Sequence, residues 1–313
     1  MTRVIVPLDR SALSEQAVPM GVFLAKALGV TLELVHVIEK PITEDGPEVR
    51  MYPSPDLVRK ELESVIDRHQ ITSPVSVNVI TGDPVQRLLQ IGERDPNSIL
   101  VMATHGRSGV VRTLLGSVAD KVMRGASSPV LLVRPTTDIP SPPTINTITV
   151  ALDGSAFAER ALPWAVQLAR ESGATIHLVR SVESLWPLAY PTTPYDGVSI
   201  DPETIDRLTL EFTAEATSYL EEAAKRLTNE GVNVTWKVTH GRPADEIINE
   251  TERAGAGMII TTTHGRGGLS RVFQGSVATA LATQSKVPLF VVPASMIGMP
   301  DELRYEPETV FTL

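Results

Sequence analysis

Two short constellations in this chain carry residues able to hold a ligand, and each occurs twice. Asp9 closes the run Val4-Ile-Val-Pro7-Leu8, and Asp153 closes Ile148-Thr-Val-Ala151-Leu152. A carboxylate in that place can accept a hydrogen bond from a ligand amino or hydroxyl group. Its alternative is a turn or helix-cap carboxylate, the commoner role of an isolated Asp. Farther along, Gly106 and Gly116-Ser117-Val118 are separated by nine residues, as are Gly265 and Gly275-Ser276-Val277. Glycine lets the backbone approach a ligand closely and adopt positive φ. A helix starting at the Ser would offer its unpaired N–H groups and partial positive charge to a phosphate. Arg107 and Arg266 follow the first glycine of each loop and can pair with phosphate oxygens.

The same residue types also serve a plain strand–turn–helix connection, so spacing alone leaves both readings open. Ser11 and Ser155, in the pattern Asp-x-Ser, read as helix caps rather than ligands. His105 and His264 are the histidines at equivalent positions; loop-structuring or a phosphate-edge role is favoured, with a general base as the lesser reading. Neither has the HExxH spacing of a metal site, and the chain has no GxxxxGK[ST] phosphate loop, no GxGxxG opening its first helix and no GxSxG elbow. The residues thus point to binding rather than to a recognised hydrolase or dehydrogenase chemistry.

The elements that must position these residues repeat with them. Residues 104–118, THGRSGVVRTLLGSV, and 263–277, THGRGGLSRVFQGSV, agree at nine of fifteen positions. The strand-one motifs are offset by 144 residues and these loops by 159, so the second copy holds fifteen additional residues between its landmarks. A period this long means duplicated domains, not solenoid repeats. The expected division is a first domain over 1–136, a Pro-rich linker over 137–144, a second domain over 145–295 and a tail over 296–313.

Each copy reads as strand, amphipathic helix, strand, Pro-rich loop, helix, strand, helix, strand, Gly-rich loop, helix, strand. The first helix is expected to bury Ala17, Met20, Phe23, Leu24 and Leu28 in one copy and Ala161, Trp164, Leu168 and Ala169 in the other. The long second helix of the second copy is expected to bury Ile205, Leu208, Phe212, Tyr219, Ala223 and Leu227. Alternating strands and helices imply a parallel, doubly wound sheet with right-handed crossovers. Ligands bind such sheets beyond the carboxyl ends of the strands, where the strand order reverses. A reversal between strands one and four would bring the Asp and the Gly-rich loop together.

Composition fits this picture. The chain has 313 residues, 42% of them hydrophobic but only 4% aromatic, so the core must be aliphatic, as in a sheet buried on both faces. A formal charge of −9 without a basic stripe argues against nucleic acid as a partner. With no cysteine, disulfides and thiol chemistry are excluded. No signal peptide and no run of about 20 apolar residues is visible, so the expectation is a cytoplasmic protein with no membrane partner.

With these motifs in place, the chain resembles the universal stress protein family in its tandem form, over nearly the whole of both copies. The nucleotide-binding branch of that family carries Gly-x-x-Gly-x9-Gly-Ser/Thr after strand four and an Asp ending strand one. Here the first glycine is replaced by Ala103 in one copy and by Thr262 in the other. The resemblance implies two Rossmann-like (adenine nucleotide α-hydrolase-like) α/β domains, each a five-stranded parallel sheet flanked by helices. It implies an adenine nucleotide as ligand (ATP, or ADP or AMP), with magnesium accompanying ATP, and a sensor or regulator in place of a fast enzyme. A nucleotide-free interaction module and a slow ATPase are the alternatives.

By resemblance, the first site comprises Pro7, Leu8, Asp9, Val37, Met102, Ala103, His105, Gly106, Arg107, Gly116, Ser117 and Val118. The second comprises Ala151, Leu152, Asp153, Ser181, Thr262, His264, Gly265, Arg266, Gly275, Ser276 and Val277. Val37 would line the adenine, and Ser181 would make that floor more polar in the second copy. Thr262 is β-branched and stiffer than Ala103, so the first site is expected to bind more tightly. Family members pair domains through the last strand. Here that pairing is expected within the chain, with a homodimer as a further arrangement.

Overall fold

A computed structural model of the protein describes residues 1–39, 53–104, 115–135, 145–183, 201–263 and 275–293. The chain packs as two units. One takes its described residues from Met1–Thr144 and Ala282–Arg304, the other from Ile145–Leu281.

In the first unit, β1 (Arg3–Pro7), β2 (Thr31–Ile38), β3 (Val75–Thr81), β4 (Ile99–Ala103) and β5 (Val130–Val133) alternate with α1 (Ala12–Glu15), α2 (Val18–Ala27), α3 (Pro55–Arg68), α4 (Pro84–Arg94) and α5 (Ser117–Gly125). The strands lie in the order β3-β2-β1-β4-β5, all parallel. In the second unit, β6 (Thr147–Ala151), β7 (Thr175–Val182), β8 (Val234–His240) and β9 (Met258–Thr262) lie in the order β9-β6-β7-β8, also parallel. The helices are α6 (Ala156–Glu159), α7 (Leu162–Ser172), α8 (Pro202–Asn229) and α9 (Pro243–Arg253), together with α10 (Ser276–Gln284), which belongs to this unit as far as Leu281. Strand order reverses between β1 and β4 and between β6 and β9, the arrangement that would bring the Asp and the Gly-rich loop of each copy together.

The central strands are buried on both faces. Val4, Ile5 and Val6 are fully covered, as are Ile99, Leu100 and Val101. The single first helix expected from the sequence is two helices in each unit, because Pro19 and Pro163 enter the second of them within its first turn. Proline has no N–H to give the preceding turn, so the helix restarts there. Of the predicted face, Ala17, Met20 and Leu24 are buried, while Phe23 and Leu28 are half-buried. Ala161, Trp164, Leu168 and Ala169 are all buried. On α8, Ile205, Ala223 and Leu227 are buried but Phe212 is 41% exposed. Phe212 lies in the N-terminal half of a 28-residue helix whose counterpart α3 has 14 residues. The added turns lack the buried Ala216-Leu220-Ala223 stripe of its C-terminal half.

The final strand, β10 (Leu289–Val292), packs with the first unit, antiparallel to β5, with Leu289 opposite Leu132 and Val291 opposite Val130. Arg134 Nη1 adds hydrogen bonds to the carbonyls of Thr283 at 3.1 Å and Ser285 at 3.4 Å. The second packing unit therefore ends earlier than the second sequence copy. Among the described residues no helix is long and apolar enough to cross a membrane.

Candidate functional site

The turn after strand one is built alike in both units. Asp9 Oδ1 accepts from the backbone N–H and the hydroxyl of Ser11, at 3.0 and 2.5 Å. Asp153 Oδ1 accepts from the same two groups of Ser155, at 2.9 and 2.6 Å. Each serine oxygen in turn accepts the N–H of the residue three places on, Ser14 or Ala158, and so caps α1 or α6. The serines act as caps, as their sequence position suggests. The Asp carboxylates are thereby oriented at the ends of β1 and β6. The ion pair Glu15–Arg68, at 2.8 Å, ties α1 to α3. Its counterpart Glu159–Arg226, at 3.2 Å, ties α6 to α8.

The Gly-rich loops begin and end where the described residues can be followed. Gly116 N–H donates to Thr104 O at 2.7 Å, which brings the end of β4 to the start of α5. Gly116 is the N-cap of α5, so Ser117 is the first helical residue instead of the cap; its side chain is exposed, as is that of Ser276. In the second unit Gly275 has φ +65°, and a Cβ there would lie 2.7 Å from Thr263 O. Only glycine fits without a shift of backbone. His105, Gly106 and Arg107, and likewise His264, Gly265 and Arg266, lie outside the described residues.

In the second unit these parts surround one cavity of about 830 Å³. Ala151, Leu152 and Asp153 form one wall, Ser181 and Thr262 the strand ends, and Gly275, Ser276 and Val277 the helix-start side. Its size lies within the range of small-molecule sites, roughly 300–1,000 Å³. The cavity is bounded by the N-terminus of α10 and by a backbone approach that a Cβ would block. Ser181 contributes less polarity than its type suggests, since its hydroxyl donates to Gly241 O at 3.0 Å. In the first unit Leu8, Met102 and Ala103 are buried at the ends of β1 and β4, while Pro7, Asp9, Val37, Gly116 and Val118 are half-buried.

Sequence reasoning missed Arg180, Glu215, Phe212 and Ile247, all of which line the second cavity. Arg180 had a signal: it is the one Arg or Lys of β7, at the position of His36 in β2. Both stand one residue past an equivalent strand pair, Pro7 with Val35 and Ala151 with Val179. Burial pushes the nearby Tyr219 phenol well above its ordinary range, an effect that Glu159 reinforces. It is therefore neutral and offers an aromatic face. Among the described residues no group of three or more His, Asp or Glu side chains is placed to hold a metal ion.

The Universal stress protein family pattern matches residues 1–134 and again residues 144–293. The chain belongs to the universal stress protein family. It is similar to a universal stress protein of Mycobacterium tuberculosis, 25% identical over 306 residues, covering 93% of this chain and 97% of that one. A single-domain relative, universal stress protein YxiE of Bacillus subtilis, is 30% identical over 148 residues, 47% of this chain and 98% of its own length. A universal stress protein of Archaeoglobus fulgidus has the same fold, with a TM-score of 0.63 and 21% identity over 93% of this chain and 98% of that one. This universal stress protein therefore carries the family fold twice, in the tandem form implied by its repeated motifs.

Proposed function

We propose that this universal stress protein binds adenine nucleotide (ATP, or ADP or AMP) beyond the carboxyl ends of the parallel strands in each sequence copy. It works as a nucleotide-dependent sensor or regulator in stress response and not as a fast enzyme. The observation that carries this reading is the second unit's cavity of about 830 Å³, on which Asp153, Thr262, Gly275 and Ser276 converge. Asp153 faces the base and ribose side, and the start of α10 faces the phosphates. The first unit holds its nucleotide with Asp9, Val37, Gly116 and Ser117 in the corresponding places. Magnesium enters with ATP, bound by the phosphates and not by a cage of protein ligands.

The β5–β10 ladder supports a pairing of the two copies through their last strands within one chain, with homodimers as a further level of assembly. Calorimetric titration of the full chain with ATP tests the reading. The expected result is saturable binding that an Asp9→Ala, Asp153→Ala double variant weakens at both sites. Full retention of binding by that variant would count against the assignment of the two carboxylates.

A further inference from the structure

Arg180 stands in the second unit's cavity with no role in the nucleotide reading so far. Its side chain is only 6% exposed, yet it lines the cavity wall beside Asp153. A guanidinium has five N–H donors. Among the described residues Arg180 makes one hydrogen bond, from Nη2 to Glu215 Oε1 at 3.0 Å. The ring of Tyr219 lies 5.3 Å from Cζ and fixes the guanidinium's position. The turn is kept bare beside it: Gly154 has φ +85°, and a Cβ there would come within 3.0 Å of Arg180 Nη1.

The first unit is different at each of these points. His36 replaces Arg180, and its Nδ1 lies 2.7 Å from Leu8 O, so the imidazole is spent on the backbone. Arg10 stands where Gly154 does, with its guanidinium turned away to Glu61. Among the described residues, the second unit thus sets a planar fork of donors at the end of β7, where the first unit has the imidazole of His36 at the end of β2. Glu215, 55% exposed, supplies a counter-charge. The other donors of Arg180 have no protein acceptor among the described residues and open on the cavity, where a ligand can meet them.

We infer that Arg180 is a specificity-determining residue of the second unit, selecting a nucleotide that presents two adjacent hydrogen-bond acceptors at the end of β7. The O6/N7 edge of guanine and the oxygens of a ribose phosphate share this chemistry, and a guanidinium engages either in bidentate fashion. In AMP the adenine edge sets the N6 amino donor beside the N7 acceptor and the 3′ oxygen carries no phosphate, so neither of these acceptor pairs is present. The inference rests on the nucleotide reading above and adds the choice of nucleotide for one of the two sites.

The test is titration of the full chain and of an Arg180→Lys variant with AMP, GMP and adenosine 3′,5′-bisphosphate. Lysine keeps the charge beside Glu215 and removes the planar fork. The expected result is that one of the latter two binds a single site about tenfold or more tightly than AMP, and which one does so names the source of the acceptors. Arg180→Lys should bring that ligand to the level of AMP, while AMP binding at the first unit's site stays unchanged. Equal binding of all three to the full chain would overturn the inference. So would a preference that survives Arg180→Lys. If none of the three binds either protein, the nucleotide reading itself fails and takes this inference with it.

Discussion

A Cβ on Gly275 would meet the carbonyl oxygen of Thr263 at 2.7 Å, and the φ of +65° at Gly275 already lies where side chains are strained. The end of β9 and the start of α10 are therefore pressed together at a point that only glycine permits. Gly275→Ala is expected to cost about 1–3 kcal/mol from the backbone conformation alone and to weaken nucleotide binding in the second unit. Gly116, at the same place in the first unit, has φ −60° and ψ 144°, open to any residue. Gly116→Ala should lower the melting temperature less than Gly275→Ala does. Equal shifts would show that the two loop ends are not built differently.

The paired glycines also allow the two sites to be separated by bulk. Gly116→Trp and Gly275→Trp should each remove one phase of ATP binding. Because Thr262 replaces the smaller Ala103, the Gly275→Trp chain, which keeps the first site, should retain the higher affinity. Equal residual affinities, measured by calorimetry, would contradict that order.

The ion pair between the first helix of the repeat and the third recurs with different burial. In Glu159–Arg226 the side chains are 11% and 29% exposed, whereas in Glu15–Arg68 they are 23% and 52% exposed. Removing one partner of a covered pair leaves a charge that water reaches poorly, whereas an exposed pair is worth about 0–1 kcal/mol. Glu159→Ala should therefore destabilise by about 2 kcal/mol, and Glu15→Ala by less than about 1 kcal/mol. Thermal melts of the two variants check the difference.

His177, on β7, has its imidazole pKa lowered, chiefly by burial, with Glu250 at 3.4 Å acting in the opposite direction. A lowered value in the folded state means that the unfolded chain binds the proton more readily. This contribution to stability is present above the ordinary imidazole value of 6.5 and is lost as the pH falls below it. His69 is shifted the same way, again chiefly by burial. The melting temperature should fall between pH 7.5 and 5.5, and His177→Gln should fall less steeply. A variant as steep as the parent chain would remove His177 from the account.

Much of the frame was legible because it rests on backbone-level signals. The apolar runs ending at Ala103 and Thr262, and the prolines at 84 and 243, mark strand ends and helix starts that the structure reproduces. The capping roles of Ser11 and Ser155 followed from their place after Asp, a local hydrogen-bonding preference. Contributions from distant segments were not legible. Helical spacing puts Phe212 on the buried face, but spacing cannot tell that the stretch of α8 between buried Ile205 and Ala216 borders the cavity. The apolar pattern of Leu289–Val292 specifies a strand but not its partner; the expectation that it meets the other last strand came from the family resemblance alone. Arg180 resembles a stray charge in a strand until the fold sets Glu215, Tyr219 and Gly154 around it.

The central claim is that the ends of the parallel strands hold a nucleotide, and the most direct measurement is calorimetric titration of the purified full chain with ATP, together with analysis of any nucleotide released when the protein is denatured. The account predicts saturable ATP binding in two unequal phases, or nucleotide already bound and released on denaturation. No heat of binding, with no nucleotide released, would contradict it.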